Sequence, residues 1–109
     1  ASKVKALAVA GEKRSPALPD TPTVAEAGVP GYASGNWYGF LATAGTPRAV
    51  ITKFNADVLK ALADKDVRTR MSRQGMEPNG STPEAFATFI KSETTKYARV
   101  IKTAGIRAE

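Results

Sequence analysis

Read for its apolar positions, the chain opens with short apolar runs and continues with helical stripes. Residues 3–11, KVKALAVAG, begin with alternation and become continuously apolar from Ala6 to Ala10 before a glycine. Such a run predicts a strand covered on both faces, as in the parallel sheet of an α/β protein. Residues 36–42, NWYGFLA, predict a second strand, with Trp37, Gly39 and Leu41 on one face and Tyr38, Phe40 and Ala42 on the other. Apolar residues on both faces argue for a central, covered position, and Gly39 for a bulge or a close backbone approach. The period then changes. Val50, Ile51, Phe54, Val58, Leu59 and Leu62 recur at three- and four-residue spacing, an amphipathic helix to about Ala63. Val67 and Met71 mark the inward side of a shorter helix, with Arg68, Arg70 and Arg73 mostly outward. Phe86, Phe89, Ile90, Tyr97, Val100 and Ile101 form the stripe of a long last helix, with Lys91, Lys96 and Lys102 on the wet side.

The punctuation between these patterns is specific. Ser15-Pro16, Leu18-Pro19 and Thr21-Pro22 disfavour helix before each proline, so residues 12–22 read as a loop. Thr23 and Glu26 have the capping-box spacing, which predicts a short helix stopped by Gly28. Thr46 with Pro47 predicts the cap and first residue of the long helix, and Asp64 the cap of the next, which Gly75 ends. Residues 76–79 predict a short edge strand, because Pro78 is tolerated only at an edge or an end. The last helix opens either with Thr82 as cap and Pro83 behind it or with a Ser81/Glu84 capping box, and stops at Gly105.

Length and composition bound the class. A chain of 109 residues fits one domain and can bury roughly 65% of its unfolded surface. No stretch approaches the ~20 apolar residues of a membrane span. The basic start, Lys3 and Lys5, leads into a short apolar run without a small-residue cleavage pattern, so a soluble chain without a signal peptide is expected. There is no Cys and no His, which excludes disulfides, thiol chemistry and Ser-His-Asp or Cys-His catalysis within this chain. No glycine-rich phosphate loop or metal-spaced carboxylate set appears, and no cofactor, metal or catalytic residue is assigned.

The formal charge of +6 suits an anionic partner, but the basic residues are spread along the chain as on a solvated surface. A small basic anion- or nucleic-acid-binding module is the alternative function class, and it requires binding that weakens steeply with salt. Lys13-Arg14 and the three arginines at 68, 70 and 73 are its candidate contacts. Neither set is interleaved with aromatics, and a solvated reading accounts for both. Glu26 reads as a cap rather than a general base. Glu93, beside the last apolar stripe, reads as partly buried and paired with a nearby cation. Trp37 and Tyr38 join a flat apolar surface to a hydrogen-bonding tip, which suits a cleft wall or, the more economical reading, core packing.

Taken together, LAVAGEKRSPALPDTPTVAEAG, GNWYGFLATAGTP, FNADVLKALADKDVR and GMEPNGSTPEAFATFIKSE resemble the C-terminal part of the tripartite tricarboxylate transporter substrate-binding proteins, also called Bug-type extracytoplasmic solute receptors. The likeness runs from Val4 to Gly105. Its most specific pieces are residues 18–20 with 22–28, and Trp37-Tyr38-Gly39 followed by Gly45-Thr46-Pro47. The resemblance implies a partial type II periplasmic-binding-protein fold, α/β, with covered strands flanked by helices and a long C-terminal helix. It implies a periplasmic receptor that takes a small carboxylate, passes it to a membrane permease, does no chemistry and binds no nucleic acid. Residues 3–35 would contribute to the second lobe, and residues 36–106 the hinge strand and helices of the first. Trp37 and Tyr38 would line the hinge or cleft. The family's glycine-rich loop, of Pro-x-Gly-Gly type, has no counterpart here, so at most half a cleft is expected. The chain is then a fragment of a larger receptor or a truncated relative, and its incomplete sheet predicts a homodimer or swapped assembly.

Overall fold

The structure, a computed structural model, describes residues 4–107; Lys3, where the first predicted strand starts, lies outside them. It divides into two compact units, Ala1–Leu41 and Ala42–Glu109. The first unit is built from turns around one short parallel contact. The Val9 amide donates to the Pro22 carbonyl at 2.9 Å and the Val24 amide to the Val9 carbonyl at 2.9 Å, bridging Val9 and Thr23. Ser34 extends the contact, its amide donating to the Ala10 carbonyl at 2.8 Å. Thr23 sits at the centre and is the one buried residue among those described, 3% exposed.

The predicted capping box forms. The Glu26 amide donates to Thr23 Oγ1 at 3.1 Å, and the Thr23 amide to Glu26 Oε2 at 2.8 Å. It opens a single turn rather than a regular helix. The Gly28 amide already reaches Ala25 and the Val29 amide reaches Val24, a Schellman closure with Gly28 at φ 120°. A residue without a Cβ is needed there, and the stop comes too soon after the cap for a second turn. Pro30 and Gly31, the latter at φ 78°, then set the turn that brings the Tyr32 amide to the Val29 carbonyl.

The second unit holds three helices: α1 (Arg48–Ala63), α2 (Lys65–Arg73) and α3 (Pro83–Ala104). α1 starts one residue later than Thr46 and Pro47 predict. The Thr46 hydroxyl donates to the Thr43 carbonyl at 2.8 Å, which closes a turn instead of capping the helix. Pro47, at ψ 138°, is the residue before the helix and offers no side-chain cap. For α2 the expectation holds: Asp64 accepts from the amides of Asp66 and Val67 at 2.9 and 3.0 Å. For α3 the two alternatives resolve in favour of Thr82, whose hydroxyl accepts from the Ala85 amide at 3.1 Å with Pro83 behind it. Glu84 turns to Arg48 instead, so the N-terminus of α3 is tied to that of α1.

α1 packs against both other helices. Its half-buried face is Ile51, Asn55, Val58 and Leu62, one helical stripe, and Asn55 Nδ2 donates to the Ser81 carbonyl at 2.9 Å. Val67 and Met71 of α2, and Phe86 and Ile90 of α3, are likewise half-buried. Phe86 and Phe89 stack, centroids 6.4 Å apart. Lys96, expected on the wet side of α3, is instead half-buried against Glu93 and lies 5.0 Å above the Tyr97 ring.

Two expectations fail. Among the described residues no strand forms at 4–11, 36–42 or 76–79, and no apolar side chain is fully buried. The α/β fold with covered strands is therefore not what the described residues display. A strand is completed by a ladder to a neighbour, and Val9–Thr23 is the one bridge formed among them. The alternation is present; among the described residues the sheet that it addresses is not.

Candidate functional site

The two candidate binding residues lie in the first unit, in residues 32–41, which form no helix and no ladder with other described residues. Tyr38 is 83% exposed and Trp37 is 43% exposed. Neither ring is packed in a core, against the more economical reading of the sequence. Both present flat apolar surface to the outside, and Phe40 and Leu41 beside them are exposed as well. Chemically this is a strip of rings able to lie along a hydrocarbon chain, with the Tyr38 hydroxyl as a hydrogen-bonding tip.

The charged candidates sort differently. Arg14 is engaged: its Nε donates to Glu26 Oε2 at 2.9 Å and its Nη1 to the Pro19 carbonyl at 3.3 Å. It braces the proline-rich loop against the Thr23 turn. The amide of Thr23 and the Arg14 guanidinium together hold the Glu26 carboxyl below the ordinary value of 4.5, the amide contributing most. That brace was not legible in the sequence, because the partners are separated by three prolines and only the folded loop brings them together. The Glu84 carboxyl is also lowered, chiefly by its own backbone amide and then by Arg48. Glu93 is 15% exposed on its side chain and pairs with Lys96, the structural role expected of it. The α2 arginines Arg68, Arg70 and Arg73 are all exposed. No group of three metal-ligating side chains gathers among the described residues, and no helix there is long and apolar enough to cross a membrane.

Comparison with known proteins identifies the family. The model of the tripartite tricarboxylate transporter family receptor matches residues 1–106. The chain belongs to this family. An uncharacterised-family protein of the tcbD-tcbE intergenic region of Pseudomonas sp. strain P51 is 41% identical over 102 residues, which cover 93% of this chain and 30% of that protein. Protein BugT of Bordetella pertussis is 32% identical over 95% of this chain and 32% of its own length. The R. palustris protein Rpa4515, solved with adipate, superposes with a TM-score of 0.77 at 38% identity, covering 92% of this chain and 33% of that one. The periplasmic binding protein BugD gives 0.75 at 36% identity, covering 94% and 35%. This tripartite-transporter receptor chain thus spans about a third of the length of the relatives it matches. Its fold is similar to part of a periplasmic binding protein.

Proposed function

We propose that the chain is the C-terminal part of a two-lobed receptor of type II periplasmic-binding architecture, which captures a small carboxylate for the membrane permease of a tripartite transporter. Residues 3–35 contribute to the second lobe, and residues 36–106 supply the hinge strand and the helices of the first. The receptor works in the periplasm, performs no chemistry and uses no cofactor. Trp37 and Tyr38 form part of the cleft or hinge wall. The observation that carries this reading is the likeness to the adipate-bound R. palustris protein over 92% of the chain. The exposure of Tyr38 supports the site, since a ring that walls a cleft is not sealed in a core. The net charge of +6 favours approach of an anion. Amides that would hold the carboxylate head belong to the remaining two thirds of such a receptor. A chain standing alone has a second copy as its available partner.

Trp37 is the sole tryptophan, so its emission reports on this site alone. The test is a titration with adipate, succinate, citrate and glutamate, following Trp37 emission and the thermal midpoint together. One of these is expected to give a saturable emission change lost in Tyr38→Ala. At 100 times its dissociation constant it should stabilise the fold by about 2.7 kcal/mol. A folded chain stabilised by a carboxylate without any change at Trp37 sinks the site assignment. If the chain, joined to the rest of a receptor, ignores every carboxylate, the substrate class is wrong.

A further inference from the structure

We infer that Asn79-Gly80 is a site of self-modification, where the chain converts its own asparagine to aspartate and isoaspartate in water, at the connection that seats α3. Nothing in this chemistry depends on what the chain binds. The chain has three asparagines, and their surroundings differ. Asn55 lies within α1, half-buried, with Nδ2 donating to the Ser81 carbonyl at 2.9 Å, and the amide after it is bonded inside the helix. Asn36 is exposed, but the amide after it belongs to Trp37, whose side chain crowds the approach. Asn79 is exposed and outside any helix, and the residue after it is an exposed glycine. Among the described residues neither the Asn79 side chain nor the Gly80 amide takes part in a hydrogen bond.

The reaction needs only those two groups and water. Hydroxide takes the Gly80 amide proton, and the nitrogen attacks Asn79 Cγ. The N–Cγ bond forms, the Cγ–Nδ2 bond breaks, and ammonia leaves with a proton from water. A succinimide ring remains. Water then opens it: cleavage of the N–Cγ bond leaves aspartate, and cleavage of the bond to the main-chain carbonyl leaves isoaspartate. Without a Cβ at residue 80 nothing shields the attacking nitrogen, and the backbone is free to bring it to Cγ. Packing holds this position as glycine, since a Cβ there would fall onto Leu59 Cδ2 of α1. Either product lowers the formal charge of +6 by one. Isoaspartate also adds one carbon to the main chain between Gly75 and Thr82. That segment bonds Asn55 through the Ser81 carbonyl and caps α3 through Thr82 Oγ1, which accepts the Ala85 amide at 3.1 Å. The added carbon is therefore felt at the head of α3.

Trypsin places the three asparagines in separate peptides, residues 15–48, 54–60 and 74–91, so one digest reads all of them. The native folded chain is held in mildly alkaline buffer and sampled over time by mass spectrometry, which detects exchange of the amide nitrogen for oxygen. Asn79 should convert first, with Asn36 and Asn55 at least about tenfold slower. The rate should rise in proportion to hydroxide, and an isoaspartate-specific methyltransferase should label the product at residue 79. Conversion of Asn36 or Asn55 as fast as that of Asn79 overturns the assignment. So does conversion of Asn79 that begins only once the chain is unfolded in urea, because the fold then holds the amide away from Cγ. For the effect on α3, the isoaspartyl form, isolated by chromatography, is compared with Asn79→Asp, which carries the charge without the added carbon. The Ala85 amide should lose its protection from hydrogen exchange in the first and keep it in the second. Native protection in both overturns the coupling to α3.

Discussion

Replacing Thr23 by valine removes one hydroxyl and keeps the outline of the side chain. The hydroxyl accepts the Glu26 amide at 3.1 Å, inside a residue that is 3% exposed and that also carries the bridge to Val9. Loss of an N-cap hydroxyl costs ~1 kcal/mol, within a range of about 0.5–2. The Glu26 amide sits at the edge of the turn and can turn to water, so the full cost of a buried orphan donor does not apply. A loss of ~1 kcal/mol raises local opening about fivefold. Amide hydrogen exchange followed residue by residue is the direct assay, since this opening is local. The amides of Val24 and Ala27, bonded to Val9 and Thr23, should exchange about fivefold faster in Thr23→Val, while those in the middle of α3 are unchanged. Thr23→Ser, which keeps the hydroxyl, should stay within about twofold of the native rates. Native rates at Val24 and Ala27 in the valine variant would refute the capping argument. Equal acceleration in α3 would show that the loss is global rather than confined to this turn.

Asp64→Ala removes the acceptor of two amides at the head of a nine-residue helix too short to persist by itself. A loss of ~1 kcal/mol and a selective rise in exchange across α2 are expected. Gly80→Ala places a Cβ onto Leu59 Cδ2, too close for both to stay, so the Leu59 side chain must shift. Because that atom is the tip of a flexible side chain, destabilisation of ~1 kcal/mol is expected in denaturant unfolding, relieved when Leu59→Ala is added. Acidification should loosen the loop at residues 12–22. The Glu26 carboxyl is lowered in the folded chain, so its contribution is complete above the ordinary value of 4.5 and is lost as pH falls through its lower folded value. NMR titration of the Glu26 carboxyl alongside the Thr23 amide should show both moving together below that pH, and an unshifted Glu26 midpoint would refute the brace.

The helices were legible because the signals that start and stop them are local. Thr82-Pro83 and Gly105 bound α3 within a residue or two of the backbone groups they serve, and Asp64 and Gly75 do the same for α2. Thr46 misled because its side chain turns back to the Thr43 carbonyl, in a turn that Gly45 permits at φ 83°, and Pro47 takes the place before the helix. The strands were not legible to the same degree, since a strand is defined by a neighbour that no short-range pattern contains. Trp37 and Tyr38 entered through their place in a family motif rather than through any constellation of chemistry. The Arg14–Glu26 brace was missed because neither residue signals the other across the intervening prolines.

The apolar strip at residues 37–41 shows why the pattern carries information that the chain's own burial does not. Some 500 Å² of apolar side chain left in water forgoes on the order of 10 kcal/mol of hydrophobic stabilisation, an upper figure that ignores residual burial in the unfolded chain. Domains are stable by only about 5–15 kcal/mol in all, so that surface is not a detail of the strip but an amount comparable with a whole fold. A sequence alternating large apolar residues on both faces of one extended segment, with no charge between residues 27 and 47, is therefore addressed to a cover. The receptor reading supplies that cover from the remaining two thirds of a family member.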